Sequence, residues 1–252
     1  AFSNPIPGAS VVLTSSGSNN TLTTPAETDG SGVTTATIAS TKAEAKTITA
    51  TVGTLALGEK PVITFVSGPV SASESLVAVN PADGLVADGS AASTITVTAR
   101  DAFLNRIPDL TVVLSVASAG DPAKNTLVQP AAATGSDGVA SGSLTSTWAE
   151  VKTITATVDG VELTAHPTIT FVPGAVSALT STVVATPDTG VIADNVALST
   201  VTVTVLDAFS NPIPGATVAV TASGSANTLS TPAPTNGSGK TTVTLKSTTA
   251  ET

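Results

Sequence analysis

Apolar residues alternate with threonine and serine along much of this chain. Ile95, Val97 and Ala99 interleave with Thr94, Thr96 and Thr98. The same period of two runs through Val112, Leu114 and Val116, through Ile154, Ala156 and Val158, and through Ile169 and Phe171. A strand points successive side chains to opposite faces, so this pattern predicts strands with one face in a core and a threonine face in water. Turn chemistry separates the runs: Asn80-Pro81-Ala82-Asp83-Gly84, Asp88-Gly89, Ser136-Asp137-Gly138 and Asp159-Gly160. Val158-Asp159-Gly160-Val161 predicts a two-residue hairpin. No stretch carries a helical stripe. About seven short strands in roughly 100 residues predict an all-β fold, an antiparallel β-sandwich.

The pattern repeats. Phe2-Ser3-Asn4-Pro5-Ile6-Pro7-Gly8 returns as Phe103-Leu104-Asn105-Arg106-Ile107-Pro108-Asp109 and again as Phe209-Ser210-Asn211-Pro212-Ile213-Pro214-Gly215. A period of about 100 residues is a whole small domain in tandem rather than a solenoid unit. Two short segments read as joints, Phe65-Val66-Ser67-Gly68-Pro69-Val70-Ser71-Ala72 and Phe171-Val172-Pro173-Gly174-Ala175-Val176-Ser177-Ala178, each with Gly beside Pro after an apolar strand. Joints this short restrict bending far more than a Gly/Ser linker. The predicted division is a partial unit at 1–67, a complete one at 68–173 and a partial one at 174–252. Ala1–Ala45 aligns without a gap on Ala208–Thr252. The first unit is therefore expected to lack opening strands and the third to lack the closing Lys-Thr-Ile-Thr-Ala-Thr-Val strand of 46–52 and 152–158, as in a window of a longer repetitive protein.

Three recurring motifs carry a resemblance. Val-Thr-Val-Leu-Asp-Ala-Phe-Ser-Asn-Pro-Ile-Pro-Gly-Ala-Thr-Val at 203–218 resembles the signature of the bacterial Ig-like domains found in intimins and invasins. Thr-Asn-Gly-Ser-Gly-Lys-Thr-Thr-Val-Thr-Leu-Lys-Ser-Thr at 235–248 and the strand Lys152–Val158 fit the same pattern. Arg106 and Asp109 depart from it in the central copy, where the other copies have Pro and Gly. The resemblance implies tandem Ig-like sandwiches in the stalk of a bacterial surface adhesin, extracellular and tied to the outer membrane through regions not present here.

Charge narrows the function classes. A net charge of −9, with nine basic residues scattered along the chain, offers no surface for nucleic acid, which needs clustered Lys and Arg. Cysteine is absent, so any exported fold must stand without disulfides, as domains of about 100 residues can. No apolar run is long enough to span a bilayer as a helix, so no membrane contact is expected in this segment.

Candidate chemistry is sparse. The single histidine, His166, precedes a proline where the first copy has Lys60, and a site that changes identity between copies reads as a turn rather than a general base. No catalytic residue and no enzymatic activity are predicted. In the motif, Asp101 and Asp207 with Asn105 and Asn211 are expected to accept backbone N–H bonds as Asx turns do, Phe103 and Phe209 to plug the core end, and Pro212 to stiffen the exit. Calcium is the one cofactor with candidate ligands: Asp83, Asp88, Asp101, Asp188, Asp194 and Asp207 sit in turns near the joints, but without the dense spacing of a dedicated site. Trp148, replaced by Lys42 and Thr249 in the other copies, is expected at an exposed sandwich corner, partly shielded by its neighbours, with a lateral contact to another chain as the alternative. These readings converge on a spacer whose partners are the neighbouring Ig-like units. The alternative is a self-assembling extracellular filament or sheath built by lateral association.

Overall fold

The computed structural model of the chain describes residues 4–251; Phe2 and Ser3 of the first motif copy lie outside them. The first unit contains β1 (Val11–Ser15), β2 (Asn20–Leu22), β3 (Ile38–Ser40), β4 (Ala45–Val52), β5 (Leu55–Ala56) and β6 (Val62–Thr64). Its larger sheet has the order β1-β4-β5, with β6 also on β4, while β2 and β3 pair only with each other.

The central unit is the full sandwich. It contains β7 (Leu76–Asn80), β8 (Leu85–Val86), β9 (Ser93–Thr98), β10 (Val112–Ala117), β11 (Asn125–Val128), β12 (Val139–Ser146), β13 (Val151–Val158), β14 (Val161–Glu162) and β15 (Thr168–Val172). One sheet has the order β11-β12-β9-β7, the other β10-β13-β15-β8 with β14 on β13. That is nine strands where the alternation predicts about seven. The opening strand breaks at Pro81–Gly84, so that β7 edges one sheet and β8 crosses to the other, and the Asp159-Gly160 hairpin adds β14. The hairpin itself forms as expected: Val158 pairs with Val161, and Asp159 and Gly160 both take positive φ. A single 3-10 turn, Pro122–Lys124, is the only helical element among the described residues.

The alternating positions form the core. Ile95, Val97 and Ala99 from one sheet meet Val112, Leu114, Ile154, Ala156, Val158, Ile169 and Phe171 from the other, all buried. Lys152, at the start of the same inward row of β13, is fully buried as well.

The third unit contains β16 (Thr182–Thr186), β17 (Ser199–Thr204), β18 (Asn227–Leu229) and β19 (Lys240–Ser247) in one sheet of order β16-β17-β19-β18. It reproduces the β7-β9-β12-β11 layer of the central unit. No opposing sheet forms among the described residues, so Val183, Val184, Ile192 and Val196 remain exposed.

Candidate functional site

The repeated Asp-Ala-Phe-x-Asn motif folds into a tight turn, and its acid builds it. Asp101 Oδ1 accepts the backbone N–H groups of Phe103 (2.8 Å) and Asn105 (2.9 Å). Oδ2 accepts the Asn105 side-chain amide at 2.8 Å and the N–H of Gly68, in the preceding joint, at 2.9 Å. Asp207 repeats every bond in the third unit. Its Oδ1 accepts from Phe209 and Asn211, and its Oδ2 from the Asn211 amide and Gly174. Both carboxylates are buried. Inside each turn Leu104 and Ser210 sit at φ 67, a backbone conformation that side chains larger than glycine rarely adopt and that must be held by its surroundings.

The asparagine acts differently from the expected Asx turn. Its carboxamide faces out of its own unit and reads the backbone of the unit before. Asn105 Oδ1 accepts from Ala43 N at 2.9 Å, and its Nδ2 donates to Thr41 O at 2.9 Å. Asn211 does the same to Ala149 N (2.8 Å) and Thr147 O (3.1 Å). The turn it grips lies between β3 and β4, or between β12 and β13. Ser40 and Ser146 shape that turn by accepting the N–H of Lys42 and Trp148. Each joint is thus a two-bond clamp between a buried amide and main chain, with Asn211 fully buried and Asn105 6% exposed. The clamp touches only backbone, so the residue between its two contacts is free to change from Lys42 to Trp148.

Other predicted positions fall elsewhere. Phe103 and Phe209 do not plug the core; they are 62% and 40% exposed, because the turn carries them out to the rim of the joint. Phe209 lies across a small cleft from Val86, Ala87 and Asp88 of the central unit. Pro212 makes an isolated bridge to Leu206 at the turn's exit. Trp148 is half-buried, and its indole lies on Gly120, where a Cβ would come within 2.5 Å of Nε1. His166 bonds Leu163 O at 2.9 Å and lies 3.5 Å from Glu162.

The six aspartates do not gather. Among the described residues no three or more His, Cys, Asp or Glu side chains are placed to hold a metal ion together. Asp88 accepts from the backbone of Ser90 and Ala91, Asp194 from Val196 and Ala197, and both are held below the ordinary carboxylate range by those bonds. Asp83 and Asp188 are exposed in their turns.

Burial pushes the Asp101 and Asp207 carboxyls up. The hydrogen bonds from the asparagine side chain, the joint glycine and the turn backbone outweigh it and leave both below the ordinary value of 3.8. A depressed folded value stabilises the turn above the unfolded value and is lost as pH falls through the folded one. The joints are therefore expected to be intact at neutral pH and to loosen together only below about pH 4. Hydrogen exchange of the Gly68 and Gly174 amides against pH checks this; loss of protection beginning near pH 6 would point to another group.

A further pairing was not anticipated from the sequence. Lys46 and Lys152 are both fully buried, each bonded to the glutamate two residues earlier, Glu44 at 2.7 Å and Glu150 at 2.5 Å. Those glutamates also accept backbone N–H bonds, Glu44 from Ser18 and Glu150 from Gly120. The signal was the phase: Lys46 shares its strand face with Ile48 and Ala50, and Lys152 with Ile154 and Ala156.

Comparison with known proteins matches the chain to a family. The model for the bacterial Ig-like domain (group 1) matches residues 1–66 and 180–252, and the model for invasin domain 3 matches residues 71–174. The chain belongs to the bacterial Ig-like domain family. Among curated proteins, the inverse autotransporter adhesin YeeJ of Escherichia coli (strain K12) is 29% identical over 225 residues, 88% of this chain and 9% of that protein. The chain therefore spans a small part of the relative it matches. Among solved structures, the Escherichia coli adhesin FdeC superposes with a TM-score of 0.61 at 22% identity, covering 97% of this chain and 80% of that one. The integrin-binding protein invasin gives 0.57 at 23% identity over 98% of this chain and 49% of its own. InvD of Yersinia pseudotuberculosis gives 0.56 at 23% identity, with 98% and 74% covered. At these identities the likeness shows a shared fold: tandem Ig-like sandwiches.

Proposed function

We propose that this segment is a stiff spacer in the stalk of a bacterial cell-surface adhesin, holding a binding tip away from the cell. The adhesins among its relatives support that setting, and attachment to the outer membrane through other parts of the protein belongs to the same reading. The observation that carries it is the repetition of one clamp at both joints, with the same atoms on both sides. A flexible tether has no use for a buried carboxamide that fixes one unit's turn against the next. A spacer does, because its reach depends on keeping successive units in line. Each unit then adds roughly 35–45 Å, about ten strand residues at ~3.3 Å each plus a joint.

The test is small-angle scattering of the intact chain with Asn105→Ala and Asn211→Ala combined. Each substitution deletes two bonds across a joint, each worth about 1 kcal/mol net. The expected result is folded units with a shorter average end-to-end distance and a broader distribution of distances. An unchanged distribution in the double variant would remove the clamp as the source of stiffness and the spacer reading with it.

A further inference from the structure

β8 and β15 are the only parallel strand pair among the described residues; every other named pair is antiparallel. β8 belongs to the entry of the central unit and β15 to its exit. Phe171 and Val172 lie beside Leu85 and Val86 in register. Backbone bonds extend the contact at both ends, Thr170 N to Ala82 O at 2.8 Å and Ala87 N to Val172 O at 2.8 Å. Val172 is followed at once by the joint, and Val86–Asp88 face Phe209 of the next unit.

A pull on the two ends of the chain first loads β7 against β9 and then, through Pro81–Gly84, drags β8 backward along its axis while β15 is drawn forward. Because the strands are parallel, they slide against each other, and the bonds between them are loaded together. In an antiparallel pair drawn apart from one end, the bonds open one after another, each at low force. We propose that the β8–β15 pair is the force-bearing clamp of the central unit, the element that must rupture before the sandwich can be pulled open. The burial of Leu85, Ala87 and Phe171 keeps water from the bonds while they are loaded. The inference extends the spacer reading, but its test reads the clamp alone and stands or falls independently of joint stiffness.

The chain has no cysteine, so thiol handles can be placed at will. With handles at the two chain ends, single-molecule pulling should show one high-force event that releases on the order of 300 Å of chain. With one handle at the N-terminus and the other at Glu162→Cys, the force enters through β7 and leaves through β14, at the same end of the sandwich. β15 then lies outside the loaded segment, the pair is no longer sheared, and the rupture force should fall several-fold. Ala87→Pro removes the donor to Val172 O and should lower the end-to-end rupture force more than Ile154→Val, a core change that leaves the pair intact. Equal forces in the two pulling directions would overturn the proposal. So would an Ala87→Pro chain that ruptures at the Ile154→Val force, and the handle comparison still decides if Ala87→Pro does not fold.

Discussion

Lys152→Ala is expected to destabilise the central unit by about 3–5 kcal/mol, the range for breaking a buried ion pair by removing one partner. The side chain is fully buried and its ammonium holds Glu150 Oε1 at 2.5 Å. Without it, a mostly buried carboxylate keeps its bond to Gly120 N but loses its counter-charge. Trp148 is the only tryptophan and lies four residues before Lys152, so its fluorescence during denaturation follows this unit in the intact chain. Lys152→Met alone restores most of the volume and should remain destabilised, because Glu150 is still unpaired. Lys152→Met with Glu150→Gln should recover much of the loss, since replacing both partners removes the stranded charge. A Lys152→Ala transition at the wild-type midpoint would show that water reaches the carboxylate and that the pair holds little.

That lysine also marks where the sequence was readable and where it was not. Ile95, Val97, Ala99, Ile154, Ala156 and Val158 were legible as core because alternation is enforced by the pleat and by nothing else nearby. Lys152 obeys the same parity, yet its charge hides it. A partner two residues upstream, on the same face of the chain, was the sequence feature that permits its burial. The Phe103 and Phe209 expectation failed for the opposite reason. Aromatic area usually seeks a core, but a turn held by Asp101 or Asp207 points these rings to the rim of a joint. The split of the opening strand into β7 and β8 leaves no mark in composition, because both halves remain apolar while changing sheets. The joint clamp lay furthest from view. Asn211 meets a turn more than sixty residues away, in another unit, through backbone atoms that carry no residue identity. Its one trace is that Ser-Thr-x-Ala-Glu at 40–44 and 146–150 recurs in step with the asparagine that follows in the next unit.

Asp207→Ala should be the most damaging change at the second joint, because it strands four donors at once: the N–H groups of Gly174, Phe209 and Asn211 and the Asn211 amide. Hydrogen bonds to a charged acceptor contribute more than neutral ones, and part of the loss is recovered by water at the joint rim, so the expected cost to the third unit is on the order of 3 kcal/mol. Asn211→Ala removes only one of those bonds and should cost that unit far less while undocking the joint equally well. Asp207→Asn divides the effect. A neutral amide can accept the two bonds at one oxygen, but its NH2 then opposes the donors at the other. Hydrogen exchange separates these cases: Phe209 and Asn211 amides lose protection in Asp207→Ala, keep it in Asp207→Asn, and Gly174 loses it in both. Full protection at Gly174 in Asp207→Asn would mean that the second oxygen does not hold the joint. The turn would then be a local cap that happens to lie beside it, and the coupling between the fold of one unit and its alignment with the next would have to reside in Asn211 alone.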